Sequence, residues 1–403
     1  MACWRNLQSV YLLPFLSTVK TAANAPHSIH WPDRVLISLF AVFLLLPLLD
    51  LAFHIDPTSV QSENRLLAPW PPPPKNRVEL RAYCSKWEGY FNDHFGCRRV
   101  LIMWHNKLKW AVFRDKNAKN VLIGTDGWMF TSNNQMIEYF RGALPFTDKE
   151  LNDWQKLLEH RRDWLARRGI TYLFVIAPDK QSVYTEYLPA WLKDLGGQTR
   201  VDQFFAHMKT HSTMAVLDLR PTLLAAKESA PTYQKTDTHW NQFGAFMACA
   251  ELVRVLVQQQ VPGLAPLALD FFDQTNRHTY GGDLVSARGI GISMAESNAV
   301  FFTPKPALPA LETFEPAGEF VKNMAFSKLP GKRGRAIVYH DSFGRYWVPF
   351  LGYQFGEVDY FWQYDLDPKI IEQQKPVVVI NEMLDRFFNV TDPRQLSAKE
   401  ALP

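Results

Sequence analysis

Residues 147–219 set out helix, strand, helix and strand in turn, and this alternation limits the fold more than any other stretch. Thr147-Asp148-Lys149-Glu150 has the form of a capping box, with Thr at the N-cap and Glu at N3. Trp154, Leu157, Leu158, Trp164 and Leu165 follow at helical spacing, and Gly169 stands where a C′ glycine closes a helix. Thr171–Ala177 (TYLFVIA) is continuously apolar, as expected of a strand buried on both faces, and stops at Pro178-Asp179-Lys180. A second helix around Val201–His211 leads to a strand over Met214–Leu219. Such alternation predicts an α/β fold with a mostly parallel sheet. Ala336–Tyr339, Val358–Trp362 and Val377–Ile380 supply further strands. The loop-rich stretch 264–330 gives no clear assignment.

Val35–Phe53 (VLISLFAVFLLLPLLDLAF) stands apart. As a helix it is about 28 Å long, close to the hydrocarbon thickness of a bilayer. Trp31 at its edge suits an interfacial anchor. A cleaved signal peptide needs small residues at the cleavage site, and Asp50-Leu51-Ala52-Phe53-His54-Ile55 is a poor match. The expectation is therefore an uncleaved signal anchor. Lys20 and Arg34 lie upstream and Arg65 downstream, a bias that favours a cytoplasmic N-terminus. The expected organisation is a cytoplasmic segment over 1–33, a transmembrane anchor over 34–54, a Pro-rich linker over 55–78 and a single domain over 79–403. Pro69-Trp70-Pro71-Pro72-Pro73-Pro74 reads as a stiff extended spacer. Residues 79–113 read as mostly helical with a break near Asn92–Gly96. Gly124-Thr125-Asp126-Gly127 between short apolar runs predicts a hairpin.

The balance of charge excludes one class of partner. The net charge is only +4 on 403 residues, and no dense basic run occurs, so nothing points to nucleic acid. The four cysteines, Cys3, Cys84, Cys97 and Cys249, show no zinc spacing, and no metal is expected. Cys84 and Cys97 can pair in an oxidising compartment or remain unrelated thiols. Aromatic residues make up 14% of the chain, as in carbohydrate sites but equally as in ordinary cores.

Two motifs carry chemistry. Thr236-Asp237-Thr238-His239-Trp240-Asn241 precedes a helix whose apolar stripe runs from Phe243 to Val257. His340-Asp341-Ser342-Phe343-Gly344 follows a buried strand. A carboxylate can fix an imidazole tautomer, and the imidazole can activate a hydroxyl. Asp237, His239 and Ser342 are thus a candidate acid–base–nucleophile set. Backbone N–H groups of Ser342 and its neighbours are candidates for an oxyanion hole, and Gly344 for turn freedom. Taken singly, each motif also fits an ordinary capped turn.

These residues carry a resemblance. SENR (62–65), FNDHFGCR (91–98), IGTDGWMF (123–130), APDKQSVYTEYLP (177–189), TDTHWNQFGA (236–245), GGDL (281–284), HDSFG (340–344) and a closing strand with Glu382 look like the alginate O-acetyltransferase family, the AlgJ/AlgX-like proteins. The resemblance implies an SGNH-hydrolase-like α/β/α sandwich after one N-terminal transmembrane helix. It implies Asp237, His239 and Ser342 as a catalytic triad, and acetyl transfer through an acetyl-serine to hydroxyls of an exported polysaccharide. The acetyl donor is then a co-substrate and no cofactor is needed. Implied partners are a membrane-bound O-acyltransferase and other polysaccharide export or synthesis proteins. The implied location is the inner membrane, single-pass, with the catalytic domain in the periplasm. Lys180, Tyr184, Arg345 and His340 are second-rank candidates for substrate contact. His340 departs from the family, where a Gly commonly precedes Asp-Ser; a side chain there can crowd the turn. The alternatives are a polysaccharide O-acetyl esterase with the same triad, or a non-catalytic polymer-binding or scaffold subunit.

Overall fold

The computed structural model describes residues 30–53, 68–74, 76–98, 100–101, 104–105, 108, 117–118, 120–279, 281–287, 296–314, 324–400 and 402. The chain divides into two compact units, 1–98 and 99–403.

In the first unit, α1 (Trp31–Phe53) contains the apolar run, with Pro47 inside it. Its segment Trp31–Asp50 is long and apolar enough to cross a membrane. α2 (Arg77–His94) begins at Asn76, whose side chain accepts the Glu79 N–H. The prolines before it do not stand free as a spacer. Ala68 N–H donates to Asp93 near the end of α2 at 2.8 Å, and Trp70 packs edge-on against Trp87 and Tyr90 at 4.7 and 5.1 Å. The extended segment therefore runs back along the helix from its end to its start. Residues 55–67 of the expected linker lie outside the described residues. Cys84 and Cys97 are free thiols, the first exposed and the second buried.

The second unit contains the expected hairpin, β1 (Val121–Ile123) and β2 (Met129–Thr131), paired antiparallel, with the short strand Asn117–Ala118 on its outer side. Asp126 and Gly127 both take positive φ, 51° and 79°, as the Asp-Gly turn requires. α3 (Asp148–Ala166) carries the full capping box at Thr147 and Glu150. It closes at Gly169, φ 71°, with Ile170 N–H reaching Leu165 O at 3.1 Å. β3 (Thr171–Ala177) follows, then α4 (Arg200–His211) and β4 (Val216–Asp218), a shorter strand than expected. α5 (Gln242–Gln258) starts at Asn241, whose side chain accepts the Gly244 N–H.

The unassigned stretch proves to hold strands. β5 (Phe272–Thr279) and β6 (Glu296–Pro304) form an antiparallel pair of their own. β7 (Glu312–Phe314) and β8 (Met324–Lys328) join the main sheet antiparallel at one edge. β9 (Arg335–His340), β10 (Glu357–Trp362) and β11 (Val378–Leu384) complete it, in the order β4-β3-β11-β9-β10-β8-β7. The first five are mutually parallel.

Alternate residues of each strand feed opposite layers. Leu173, Val175, Val338 and Ile380 pack with Phe246, Leu252 and Leu256 of α5. Tyr172, Phe174, Ile337 and Val379 pack with Trp154, Leu158 and Trp164 of α3 and Phe204 of α4. The result is the expected α/β/α sandwich, and the carboxyl end of β9 opens at its rim.

Candidate active site

Asp237 and His239 lie on the loop before α5, and Ser342 on the turn after β9. The structure brings all three together. His239 Nε2 is 2.8 Å from Ser342 Oγ, and His239 Nδ1 is 2.7 Å from Asp237 Oδ1. The Asp and His side chains are each 19% exposed, so the set is reachable from solvent but largely dry. Burial raises the Asp237 carboxyl, but the hydrogen bond and charge of His239, with two backbone N–H groups, outweigh this and hold its pKa below the usual range. An ionised Asp237 can only accept, so Nδ1 carries the proton and Nε2 is free to accept the Ser342 hydroxyl.

The loop holds this shape because several distant segments grip it. The Lys180 ammonium, buried to 2%, donates to three backbone carbonyls: Gln234 and Lys235 at 3.0 Å and Asp237 at 2.6 Å. Met129 N–H of the hairpin donates to Lys235 O at 2.9 Å. Tyr184 OH accepts the Thr232 N–H at 2.8 Å, and Tyr233 OH donates to Pro178 O at 2.6 Å. Gly282 N–H donates to Thr236 Oγ1 at 2.8 Å. A Cβ on Gly282 would lie 2.4 Å from Asp237 Cβ, so only glycine permits this approach. Lys180 and Tyr184 are therefore packed inside and support the loop; they are not presented to a ligand as expected. Lys180→Met removes a shared donor from three backbone carbonyls and lets Asp237 and His239 shift. It should slow covalent labelling of Ser342 by a fluorophosphonate by about 10²-fold. An unchanged labelling rate would show that the other contacts suffice.

Asp283 is a site residue that sequence reasoning missed. Its Oδ2 lies 3.8 Å from His239 Nδ1, and it accepts the Thr238 N–H at 2.7 Å and the Thr238 hydroxyl at 2.5 Å. Burial and the Asp237 charge push its carboxyl up. The signal was present in GGDL, a motif that had no role assigned to its Asp. Asp237, His239 and Asp283 are close enough to share a cation, but the Nδ1 proton already bridges to Asp237. The aromatic walls were also missed: Tyr346 stacks on the imidazole at 5.6 Å and Phe343 lies 5.0 Å away.

Ser342 is held by a buried acid pair. Asp341 accepts the Phe343 N–H at 2.9 Å, the Leu384 N–H at 2.8 Å and the Tyr364 hydroxyl at 2.7 Å. Glu382 accepts the Asp341 N–H at 3.0 Å, and the Gly344 N–H as well. This narrows the oxyanion expectation. The neighbours' N–H groups are taken, whereas the Ser342 N–H has no hydrogen-bond partner among the described residues. Gly344 has no positive φ; it is needed because a Cβ would fall 2.5 Å from His340 Cβ. His340 is 3% exposed, with Nδ1 2.5 Å from Asp341 O and its ring against Tyr360 and Trp362. It is thus a packing residue under the turn, and it leaves the Ser–His contact intact. Arg345 alone of the second-rank candidates is exposed, on the short helix Gly344–Trp347.

Burial, then the Asp341 charge, push the Glu382 carboxyl well above its ordinary value of 4.5. A raised acid stabilises the fold fully below its unfolded pKa, and that stability is lost as pH rises through the folded pKa. Glu382→Gln keeps a neutral acceptor. It should flatten the fall in Tm as pH rises above the ordinary carboxylate range. Parallel wild-type and variant curves would show that Glu382 does not titrate there.

Comparison with known proteins fits this geometry. A family model described as the SGNH hydrolase-like domain of the acetyltransferase AlgX matches residues 121–301. That range holds Asp237, His239 and Asp283; Ser342 lies beyond it. The chain is 30% identical over 203 residues to the probable alginate O-acetylase AlgJ of Pseudomonas putida, covering 49% of each chain. It is 28% identical over 163 residues to the probable alginate O-acetylase AlgJ of Pseudomonas aeruginosa, covering 40% of this chain and 38% of that one. The chain thus spans about half or less of the length of the curated relatives it matches. A DHHW family protein from Eubacterium siraeum shares the fold, with a TM-score of 0.50 and 15% identity over 70% of this chain and 96% of that one.

Proposed function

We propose that this chain, which is similar to the AlgJ/AlgX-like proteins and matches an SGNH hydrolase-like domain over residues 121–301, is an O-acetyltransferase acting on hydroxyls of an exported polysaccharide. The observation that carries the reading is the continuous hydrogen-bonded line from Asp237 through His239 to Ser342 Oγ.

His239 Nε2 takes the Ser342 proton as Oγ attacks the acetyl carbonyl carbon of a donor. The Ser342 N–H stabilises the oxyanion, and Asp237 stabilises the imidazolium. Collapse expels the donor's leaving group, which takes the proton from His239, and an acetyl-serine remains. A sugar hydroxyl then gives its proton to the same Nε2 and attacks the acetyl-serine. The second collapse returns the proton to Ser342 Oγ and releases the acetylated polymer. Arg345, exposed beside the turn, is suited to an acidic sugar. The curated relatives are named for alginate, and in this reading an exported polysaccharide is the acceptor.

The apolar helix fits an inner-membrane anchor with the catalytic unit in the periplasm. A membrane-bound O-acyltransferase is the fitting donor-side partner, because acetyl groups on a cytoplasmic carrier must cross the bilayer to reach that compartment. The deciding assay supplies an acetylated donor and oligosaccharide acceptors, and measures acetylated sugar against free acetate. Transfer in excess of acetate supports the reading; acetate alone makes the protein an esterase.

A further inference from the structure

We propose that α2 is an interfacial helix that lies in the headgroup region of the bilayer with its apolar face toward the lipid. This rests on the reading of α1 as a membrane anchor.

At about 100° per residue, Leu80, Tyr83, Cys84, Trp87, Tyr90 and Phe91 share one arc of about 120°. Arg81, Lys86, Glu88 and Asp93 occupy the rest of the circumference, so the helix cannot enter hydrocarbon whole. The apolar arc is covered only in part: Trp70 half-buries Trp87 and Tyr90, and the remainder is open. Leu80 is 57% exposed and Phe91 53%, and Cys84 is exposed between them. Trp70, itself 63% exposed, widens the face by packing on Trp87 and Tyr90. Scattered exposed apolar residues need no explanation, but a contiguous aromatic stripe marks a binding surface.

The neighbouring helix says what covers it. The apolar span of α1 ends at Asp50, which marks the boundary with water. Asp50 Oδ2 accepts the Cys97 N–H at 2.6 Å, three residues past the end of α2. At Gly96 the two backbones are so close that a Cβ would meet Pro47 O at 2.0 Å. The C-terminal end of α2 is therefore tied at the depth where the hydrocarbon ends. An amphipathic helix fixed at that depth, with Trp and Tyr on its apolar face, has the composition of an interfacial element.

The test uses the full chain with Cys3→Ser in phosphatidylcholine–phosphatidylglycerol vesicles. A nitroxide is placed at Cys84, or at residue 85 of a Cys84→Ser, Ser85→Cys variant on the opposite face. Cys97 and Cys249 are buried. Relaxation by oxygen, which partitions into lipid, is compared with relaxation by a water-soluble nickel chelate. The oxygen-to-nickel ratio should be roughly five-fold or more higher at position 84 than at 85. Equal, water-like ratios would overturn the proposal. Shielding from both reagents at 84 would overturn it too, by showing that a second copy or another protein covers the face. Release of the chain from the vesicles by a high-salt wash would reject the anchor reading and this proposal together; the other outcomes leave the anchor standing.

Discussion

Ser342→Ala should abolish polymer acetylation, with the turnover number falling by roughly four or more orders of magnitude while the protein stays folded. The effect is this large because the hydroxyl forms the covalent bond, and His239 cannot substitute for it. Removing Oγ leaves the surrounding grip untouched. Asp341 still binds the Phe343 and Leu384 N–H groups, and Lys180 still holds the loop of Asp237. Wild-type melting together with lost acetyl transfer is the expected pair of results. Acetylation that persists in the variant would make Ser342 a capping residue and the chain a binding or scaffold subunit. The trapped intermediate supplies an independent check. A peptide containing Ser342 should gain one acetyl group when donor is given without acceptor, and His239→Ala should prevent it.

The second large effect is on stability. Arg161 is fully buried on α3 beneath the opposite face of the sheet. It donates to Asn381 Oδ1 at 2.7 Å, Tyr172 OH at 3.2 Å and Tyr364 O at 3.0 Å, and it pairs with Glu400. Glu400 lies on a short C-terminal helix, α6 (Pro393–Glu400), and also accepts the Leu366 N–H at 3.1 Å. Arg161→Ala strands the Glu400 carboxylate in the interior and should cost about 3–5 kcal/mol of unfolding free energy. Arg161→Met together with Glu400→Leu removes both charges at similar volume and should recover most of that loss. Denaturant unfolding of both variants decides it. A double variant as unstable as the single one would mean that the bonds to Asn381 and Tyr364 matter more than the charge pair.

Much of the scaffold was legible because its signals are local. A Thr-x-x-Glu cap, a glycine after a helix and seven apolar residues in a row act within one or two turns of chain. Such signals placed α3, β3 and α5 before any coordinates. β5 and the edge strand β7 escaped notice for the opposite reason. β5 reads FDQTNRHT and is mostly exposed, and Glu312–Phe314 is exposed throughout. Neither shows the buried alternation that marks a strand, and both form only because a partner offers hydrogen bonds. The proline run misled differently. Its extended conformation was plain, but its docking on Trp87 and Tyr90 depends on a helix that comes later in the chain.

The candidate site divides along the same line. Residue identity and local pattern already supplied an acid and a base two positions apart before a helix, and a hydroxyl just after a strand. Those are properties of short segments and survive in any fold that keeps the segments. That Nε2 of His239 reaches Oγ of Ser342 across 103 positions is a property of the whole. It requires β9 to lie inside the sheet and the α5 loop to hang over its end, as Lys180, Gly282 and the hairpin hold it. The same applies to the Ser342 N–H, which has no partner among the described residues, since Asp341 in the turn after β9 and Glu382 on β11 take up the adjacent donors. Long-range hydrogen bonds and close packing decide such matters, and neither leaves a periodic trace along the chain.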